Sequence, residues 1–372
     1  MTEKSKVAIV KAHPESVLDD IQRCCTLAGM DQELDKSSTT ILKDNISWHL
    51  PMPGANTTPW GLEGIWLALK NSGYNDVVVV ENMTVVTIAE KGDELCRFKP
   101  VFKKYDIPVL FNFNDSDMKW IELKPDTDML VLDKILPCGI RVPDYFMGKN
   151  IVHLPTVKTH SYTTTTGAMK NAFGGLLNYK RHYTHTHIHD TLVDLLAIQK
   201  QIHSGVFCLM DGTTSGSGPG PRTMTPHKTD MYLASADQVA IDALSAKIMG
   251  FDPMSIRYIR KATERGLGQG DVSKIEIVGD SDLAEQNLGY KGGVNFATGV
   301  GRLLWHSPLK FMQYLFFRTP LVLLFIFASE FYHDKFWWPM KGDKIFQKWL
   351  KESPWGRLFE QYTMDSCPFD KK

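Results

Sequence analysis

The sequence predicts an α/β protein in which helices flank a mainly parallel sheet, followed by an apolar helical appendage. Short β-branched runs alternate with segments whose apolar residues recur every three or four positions, as expected for strands joined by helices. Residues 77–80 are consecutive valines, which is typical of a strand buried on both faces. Thr58 and Pro59 form a helix-start signal and Gly73 a stop signal, so a helix is predicted between them.

The same patterns assign the remaining elements in chain order. Runs of β-branched, aliphatic or aromatic residues predict strands at residues 7–10, 39–46, 77–80, 109–113, 120–123, 129–132, 151–154, 206–210, 231–236 and 275–278. Helical periodicity and capping residues predict helices at residues 14–30, 58–71, 93–104, 168–177, 191–201, 238–249 and 256–265. The 372 residues suffice for one large α/β domain or two smaller ones.

A shift in composition after about residue 295 divides the chain. Residues 1–294 are predicted to form the α/β domain, either as one unit or as two lobes at 1–150 and 151–294. Residues 295–372 form the apolar and aromatic tail. Its uncharged apolar run, 319–329, has only eleven residues, whereas a membrane-spanning helix needs about 20. The tail is therefore not expected to span a bilayer.

Two interpretations of residues 303–340 stay open. The segment lies in a membrane interface, with Trp337 and Trp338 at the level of the lipid headgroups, or it packs as helices on the main domain or on a partner subunit. The first interpretation predicts a cytoplasmic protein held peripherally at the inner face of the cell membrane.

Charge and cysteine usage limit the classes of function. Lys plus Arg and Asp plus Glu number 42 each, so the formal net charge is zero and nucleic-acid binding is not expected as a main role. None of the six cysteines has the spacing of a zinc site or a ferredoxin cluster. We therefore expect reduced cysteines and no intrinsic iron–sulfur cluster. The polar N-terminus has no signal-peptide pattern, which favours a cytoplasmic location.

The segment 157–175 contains the densest set of polar side chains. Lys158 and His160 follow the predicted strand 151–154, and the carboxyl ends of parallel strands line the ligand crevice of open α/β sheets. A threonine run then leads into a predicted helix whose first turns carry Lys170 and Asn171. Backbone N–H groups at a helix start favour an anion. We interpret the segment as part of a binding site; the alternative is a solvated loop with surface lysines.

A second cluster is rich in histidine. In an extended segment His185, His187 and His189 would share one face, which suggests a transition-metal site or proton transfer. The alternative is a neutral polar loop in which a single histidine is catalytic or binds a ligand.

Glycines and further polar residues follow other predicted strands. Asp211 begins a loop in which Gly216 and Gly218 permit close approach of the backbone to a ligand. The loop has neither the P-loop pattern nor the dinucleotide fingerprint. The sequence therefore fits a mobile loop that closes over the site at least as well as it fits a nucleotide-binding loop. Candidate ligand-binding residues elsewhere are Lys43, Asn45, Thr58 and Asp237, the last of which is also a predicted helix cap.

These elements, in this order, resemble the family known as domain of unknown function 362. The matching motifs are Lys43-x-Asn45, Thr57-Thr58-Pro59, Lys158-Thr159-His160, Gly167-Ala168-Met169-Lys170-Asn171-x-x-Gly174, Asp211-Gly212, Gly216-x-Gly218-Pro219 and Asp237-x-Val239-Ala240-x-Asp242. The resemblance spans roughly residues 7–280 and implies no particular reaction. The chain departs from the family pattern at Asp44, where proline is usual, and in lacking ferredoxin-type cysteines.

A second resemblance concerns the nickel-pincer lactate racemase family. Its members have a histidine ten residues before a Gly-x-x-Lys motif and another histidine shortly after. His160 and Lys170 have this spacing, and His185 or His187 follows. The resemblance implies that His160 is an acid/base residue, that Lys170 binds cofactor or substrate, and that His187 is a ligand.

Three hypotheses for function result. In the first, an enzyme binds an anionic small molecule, carboxylate or phosphate, at Lys43, Lys158, Lys170 and the glycine loop, and His160 or His187 moves a proton. Its class would be isomerase, racemase or group transfer, and the tail admits a lipid-linked or membrane-delivered substrate. The second is a non-enzymatic subunit that handles a metal or cofactor in a membrane-associated complex. The third, a nucleotide-dependent dehydrogenase, lacks the dinucleotide fingerprint.

Overall fold

Twelve strands lie in the part of the chain that the computed structural model describes, which is residues 4–82, 84, 86–136, 138–177, 179–317 and 319–369. They are β1 Lys6–Lys11, β2 Thr40–Lys43, β3 Val77–Glu81, β4 Val109–Phe111, β5 Trp120–Glu122, β6 Arg141–Pro143, β7 Asn150–His153, β8 Thr156–His160, β9 Thr164–Thr165, β10 Gly205–Ser217, β11 Thr225–Ser235 and β12 Glu276–Gly279.

The helices surround these strands in the sequence. They are α1 Val17–Leu27, α2 Met30–Glu33, α3 Pro59–Asn71, α4 Ala89–Leu95, α5 Phe98–Tyr105, α6 Leu132–Ile135, α7 Ala168–Leu176, α8 Ile188–Ile202, α9 Gln238–Met249, α10 Arg257–Glu264, α11 Phe296–His306, α12 Gln313–Phe317, α13 Val322–Glu330, α14 Asp343–Glu352 and α15 Pro354–Gln361. A 3₁₀ segment, Tyr179–His187, precedes α8, and a π-helical segment, Phe331–Gly342, follows α13.

One large sheet forms the centre of the protein. Its strand order is β12-β1-β11-β10-β7-β2-β3-β4, with β8 also paired to β10. Every neighbour of β2 and β7 in this order is parallel, whereas β11 is antiparallel to both β1 and β10. The predicted mainly parallel sheet with flanking helices is therefore confirmed. The sheet joins strands from both sides of residue 150.

Both faces of the sheet are covered. Val7 and Ile9 of β1 point into a core shared with α7, α8, α9 and α10. Ala8 and Val10, which alternate with them, point into a second core shared with α1, α3 and α15. Because side chains alternate between the faces of a strand, a sheet covered on both faces needs continuous apolar runs. This explains the valines of β3.

Capping chemistry sets several helix ends. The Thr58 side chain accepts a hydrogen bond from the Gly61 N–H (3.2 Å), which confirms the predicted start of α3. The predicted helix 93–104 is instead two helices, because Arg97 between them has a left-handed backbone (φ 62°). The predicted strand 129–132 is wrong. The backbone N–H groups of residues 130–132 bind the Asp194 carboxylate there, and α6 begins at residue 132.

Strand β10 is longer than predicted. It continues through residues 213–217, the first part of the predicted glycine-rich loop, with an irregularity in its pairing to β11 between Gly212 and Thr214. Strand β8 is absent from the prediction. It contains Lys158 and His160, which were expected in a loop.

The tail is helical, as predicted, and its end packs on the sheet domain. Trp355 stacks on Trp60 with ring centroids 5.3 Å apart, and the Tyr362 hydroxyl donates to the Glu63 carboxylate (2.6 Å). Among the described residues, no helix is both long enough and apolar enough to cross a membrane.

Candidate functional site

A polar cavity of about 250 Å³ lies at the carboxyl ends of β2, β3 and β7. We call it the polar cavity. The segments that leave these strands supply much of its wall, together with β8 and the start of α7. Its polar lining includes Lys43, Asp44, Asn45, Ser47, Asn82, Thr84, Lys158, Lys170, Asn171, Arg181 and Arg222. The location is the one expected for the ligand site of an open parallel sheet.

The lining of the polar cavity carries a large excess of positive charge. It includes five Lys or Arg side chains and one carboxylate, that of Asp44. Asp44 forms an ion pair with Lys43 (2.9 Å), and both side chains are buried. The charges of Lys170, Arg181 and Arg222 therefore dominate the field in the cavity, and such a field attracts anions.

Lys158 is held within the protein. Its side chain is 1 % exposed, and its ammonium donates to the Ser47 hydroxyl (3.0 Å) and to the Ala55 carbonyl. Burial, and then the charge of Lys170, lowers the pKa of Lys158 well below its usual value. Lys158 thus has its donors partly satisfied by the protein, and its charged form is disfavoured where it lies.

Lys170 is the lysine with the most freedom to act. It lies in the first turn of α7, and burial followed by the charge of Arg181 lowers its pKa to about 8. Among the described residues its ammonium has no hydrogen-bond partner, and it lies 5.6 Å from the centre of the Phe173 ring. The side chain is therefore available to bind a ligand, and a fraction of it is the neutral amine near neutral pH.

Helix α7 is fixed by a buried carboxylate. The two oxygens of Asp242 accept from the Ala168 N–H (2.6 Å) and the Met169 N–H (3.2 Å). A side chain at Gly167 would collide with the same carboxylate, so the close approach requires glycine. The start of α7, and with it Lys170, is in this way anchored to α9.

Asn171 has a positioning role. Its amide donates to the Lys43 carbonyl (2.8 Å) and lies 3.2 Å from Nδ1 of His153. The other ring nitrogen of His153 lies 2.5 Å from the Gln199 side-chain oxygen, and burial lowers the pKa of His153 to about 3. Asn171 thereby connects α7 to the end of β2, where the polar cavity begins.

A larger cavity, of about 430 Å³, adjoins the polar cavity. We call it the apolar cavity. Its wall comprises mainly apolar residues of α11, α12 and α13, together with His160, Tyr162 and His185. Lys170, Phe173, His185 and Arg222 line both cavities.

The protonation of His160 follows from its contacts. Its Nδ1 accepts from the backbone N–H groups of Tyr162 (3.1 Å) and Thr163 (3.3 Å). Burial, followed by the charge of Lys170, lowers its pKa well below the usual value, so the ring is neutral. A neutral ring that accepts at Nδ1 carries its proton on Nε2. His160 is thus a hydrogen-bond donor toward a ligand.

The predicted face of three histidines is not present. Residues 179–187 form a 3₁₀ helix and not an extended segment, so alternate residues do not share a face. His185 stacks on Trp305 (4.5 Å between ring centroids) in the two main cavities, whereas His187 and His189 line a separate cavity beside Arg257. Within the described ranges, no three His, Cys, Asp or Glu side chains are placed to hold a metal ion.

Four further predicted ligand-binding residues lie away from both cavities. Thr58 donates to the buried Asp211 carboxylate (2.5 Å), which also accepts from Thr213 and Tyr232. Gly216 lies within β10, and Gly218 is just beyond its end. Gly216 pairs with β11, and the Gly218 carbonyl accepts a hydrogen bond from the Thr159 hydroxyl, so the two glycines have structural contacts outside the cavities.

Asp237 also lies away from the cavities. Its carboxylate accepts from the N–H groups of Val239 (2.9 Å) and Ala240 (3.0 Å) at the start of α9, and from Ser5 (2.6 Å). All of this is consistent with the helix cap that the sequence predicted as its second role.

Sequence reasoning missed two cations of the site. Arg181 begins the histidine-rich stretch and Arg222 ends the glycine-rich one, but neither was predicted from the sequence to have a role in the site. Burial lowers the pKa of both guanidinium groups to about 10. A basic residue that directly follows a Gly/Pro loop was the signal available for Arg222.

Fold and site together define an α/β protein with a cavity lined by lysine and arginine side chains at the carboxyl ends of its parallel strands. Residues 40–247, more than half of the chain, match the family described as Domain of unknown function (DUF362). The chain therefore belongs to this family. Comparisons with curated proteins and with solved structures found no match. The resemblance to lactate racemases accordingly stays a prediction.

Proposed function

We propose that the protein binds an anionic small molecule in the polar cavity and acts on it by acid–base chemistry of Lys170 and His160. The observation that carries this proposal is the composition of the cavity: among the described residues, five Lys or Arg side chains line it and one carboxylate, that of Asp44, lies among them. Such an arrangement is costly in the absence of a ligand and is offset by an anion, either carboxylate or phosphate.

The cations divide by role. Lys43 and Lys158 are held by protein oxygens and serve mainly to shape the wall of the cavity. Lys170 and His160 both line the apolar cavity, and Lys170 also lines the polar one. A ligand bound where the cavities meet would therefore accept hydrogen bonds from both groups.

The chemistry follows from the protonation states. With a pKa of about 8, Lys170 can take a proton from a carbon acid or hydroxyl near neutral pH and return it. His160, neutral and protonated at Nε2, would donate to the oxygen on which charge develops. This division supports an isomerase or racemase, or a group transfer in which Lys170 activates the attacking group.

Replacing Lys170 by Met will weaken binding of inorganic phosphate about 10- to 100-fold, because one hydrogen bond between charged groups is lost. Isothermal titration calorimetry at pH 7 measures the affinity. For the parent protein the affinity should also decline as the pH rises through about 8, where Lys170 loses its charge.

The matched control is Lys200→Met, since Lys200 is an exposed lysine of α8 away from the cavities. It should leave phosphate affinity unchanged. Equal affinities for the parent and Lys170→Met would contradict the proposed role. Absence of binding by any anion, including small carboxylates, would favour the accessory-subunit hypothesis.

We propose in addition that the tail contacts the cytoplasmic face of a membrane. Its helices expose an unusual amount of apolar surface, and α13 has no buried residue. Exposed large apolar side chains of the tail include Phe296, Leu303, Phe311, Leu315, Leu323, Leu324, Phe327 and Phe331. Exposed apolar patches of this kind mark membrane or protein contacts.

The double variant Leu323→Asp, Leu324→Asp should reduce the bound fraction at least tenfold in vesicle co-sedimentation, because burial of each leucine favours the bound state. Met364→Asp, which changes an exposed apolar residue elsewhere, serves as the control. Sedimentation that is the same for all three proteins, or absent for the parent, would instead assign the patch to a partner subunit.

A further inference from the structure

We infer that the ligand is an amphiphile, with an anionic headgroup in the polar cavity and a hydrocarbon chain in the apolar cavity. The inference rests on the proposed function, because it takes the polar cavity as the anion site. It adds the class of the molecule, namely an alkyl, acyl or isoprenyl chain that ends in a phosphate or carboxylate.

The first argument is that the two cavities adjoin and share part of their lining. Lys170, Phe173, His185 and Arg222 belong to the linings of both. The cations at this junction, Lys170 and Arg222, would hold the headgroup. The remainder of a ligand anchored there would face the apolar cavity.

The second argument is the chemistry of the larger cavity. Val300, Leu304, Trp305, Phe317, Phe325 and Ile326 are prominent in its wall. A small anion has no favourable contact with such a surface, whereas a hydrocarbon chain gains free energy by leaving water. The volume of about 430 Å³ lies within the range of ligand pockets. A headgroup alone would leave this larger part of the site unused.

The third argument is the orientation of α13. Phe325 and Ile326 line the apolar cavity, whereas Leu323, Leu324 and Phe327 on the same helix are exposed. One helix thus presents apolar side chains both to the cavity and to the exterior. A chain that leaves a bilayer would meet apolar surface throughout its path to the cavity.

The test compares three probes by calorimetry: decyl phosphate below its critical micelle concentration, inorganic phosphate and decanol. Decyl phosphate should bind at least ~100-fold more tightly than either of the others, since each buried methylene contributes to affinity. Lys170→Met should weaken the binding of decyl phosphate and the binding of inorganic phosphate by the same factor.

Two uncharged substitutions on α13 test where the hydrocarbon chain of the ligand binds. Ile326→Asn places a polar group in the apolar cavity and should remove most of the preference for decyl phosphate over inorganic phosphate, with phosphate affinity itself unchanged. Leu324→Asn makes the same type of change on the exposed side of the helix and should preserve the preference.

The outcomes separate the two proposals. If inorganic phosphate binds and decyl phosphate binds no more tightly, the inference of an amphiphilic ligand is wrong, whereas the proposed anion site is supported. Suppose that decanol binds as tightly as decyl phosphate, or that Leu324→Asn reduces the preference for decyl phosphate as much as Ile326→Asn does. The inferred arrangement, with the headgroup in the polar cavity and the chain in the apolar cavity, is then wrong. If neither phosphate nor decyl phosphate binds, both proposals fail.

Discussion

Replacing Asp242 by Ala will lower the free energy of unfolding by about 2–6 kcal/mol, because it leaves two buried backbone N–H groups without acceptors. The Asp242 carboxylate is fully buried and caps α7 through Ala168 and Met169. Each unsatisfied buried donor costs about 1–3 kcal/mol. Urea denaturation at pH 6, where the raised pKa of about 8 keeps the carboxyl group mainly neutral, measures the loss.

A matched variant separates the cap from a general effect of altering α9. Ser245→Ala removes a buried hydroxyl on the same helix, whose single hydrogen bond is to the Asp242 carbonyl. It should cost no more than about 1 kcal/mol. Similar losses for the two variants would show that α7 does not depend on the Asp242 cap. Because α7 carries Lys170, Asp242→Ala should also weaken phosphate binding in whatever fraction remains folded.

The parts of the fold that the sequence predicted are those that local chemistry determines. Helix α9 has the predicted bounds, because Asp237 caps its start and apolar residues continue through its buried length. Helix α3 begins at the predicted Thr58–Pro59 signal. In both cases the residues that fix the end of the element lie within a few positions of it, so a pattern in the sequence is sufficient.

Elements that depend on distant partners were missed. Strand β8 reads Thr-Val-Lys-Thr-His, which is too polar for a buried strand to be predicted. It is buried because β10 pairs with it and because Ser47 and the Ala55 carbonyl accept from Lys158. The predicted strand at 129–132 is wrong because of a distant partner as well. Asp194, more than 60 positions away, accepts hydrogen bonds from the backbone N–H groups of this segment, which therefore do not pair with another strand.

The site was predicted in part. Lys43, Lys158 and Lys170 follow strands or begin a helix, and topology brings such positions together at one edge of a parallel sheet. Arg181 has no such position, because it reaches the cavity from a 3₁₀ segment whose path depends on tertiary packing. The apolar cavity needed the arrangement of α11, α12 and α13 over the sheet, and no periodicity in the tail specifies that arrangement.

The free energy of unfolding is expected to fall as the pH rises from about 4 to about 7, because of the buried carboxyl pair of Glu81 and Asp93. Burial, and then the charge of Asp44, raises the pKa of both groups, and the pKa of Asp93 reaches about 7. The folded protein therefore holds protons that the unfolded chain releases, so raising the pH favours unfolding.

The size of this effect follows from the same values. One pH unit between the folded and unfolded pKa corresponds to about 1.4 kcal/mol, so a rise from 3.8 to about 7 for Asp93 amounts to about 4 kcal/mol. The double variant Glu81→Gln, Asp93→Asn keeps hydrogen-bonding groups but removes the titration. Its stability, measured by urea denaturation between pH 4.5 and pH 8, should depend less on pH and exceed that of the parent at pH 8.

Glu94→Gln, at an exposed position of α4 beside Asp93, is the control. Lys99 lowers the pKa of Glu94, so ionisation of this group does not reduce the free energy of unfolding as the pH rises. It should retain the parent's pH dependence. A double variant as pH-dependent as the parent would mean that water or Lys43 stabilises the ionised pair in the folded state. The carboxyl groups behind the polar cavity would then add negative charge to it, and the net attraction for an anion would be weaker than the lining alone indicates.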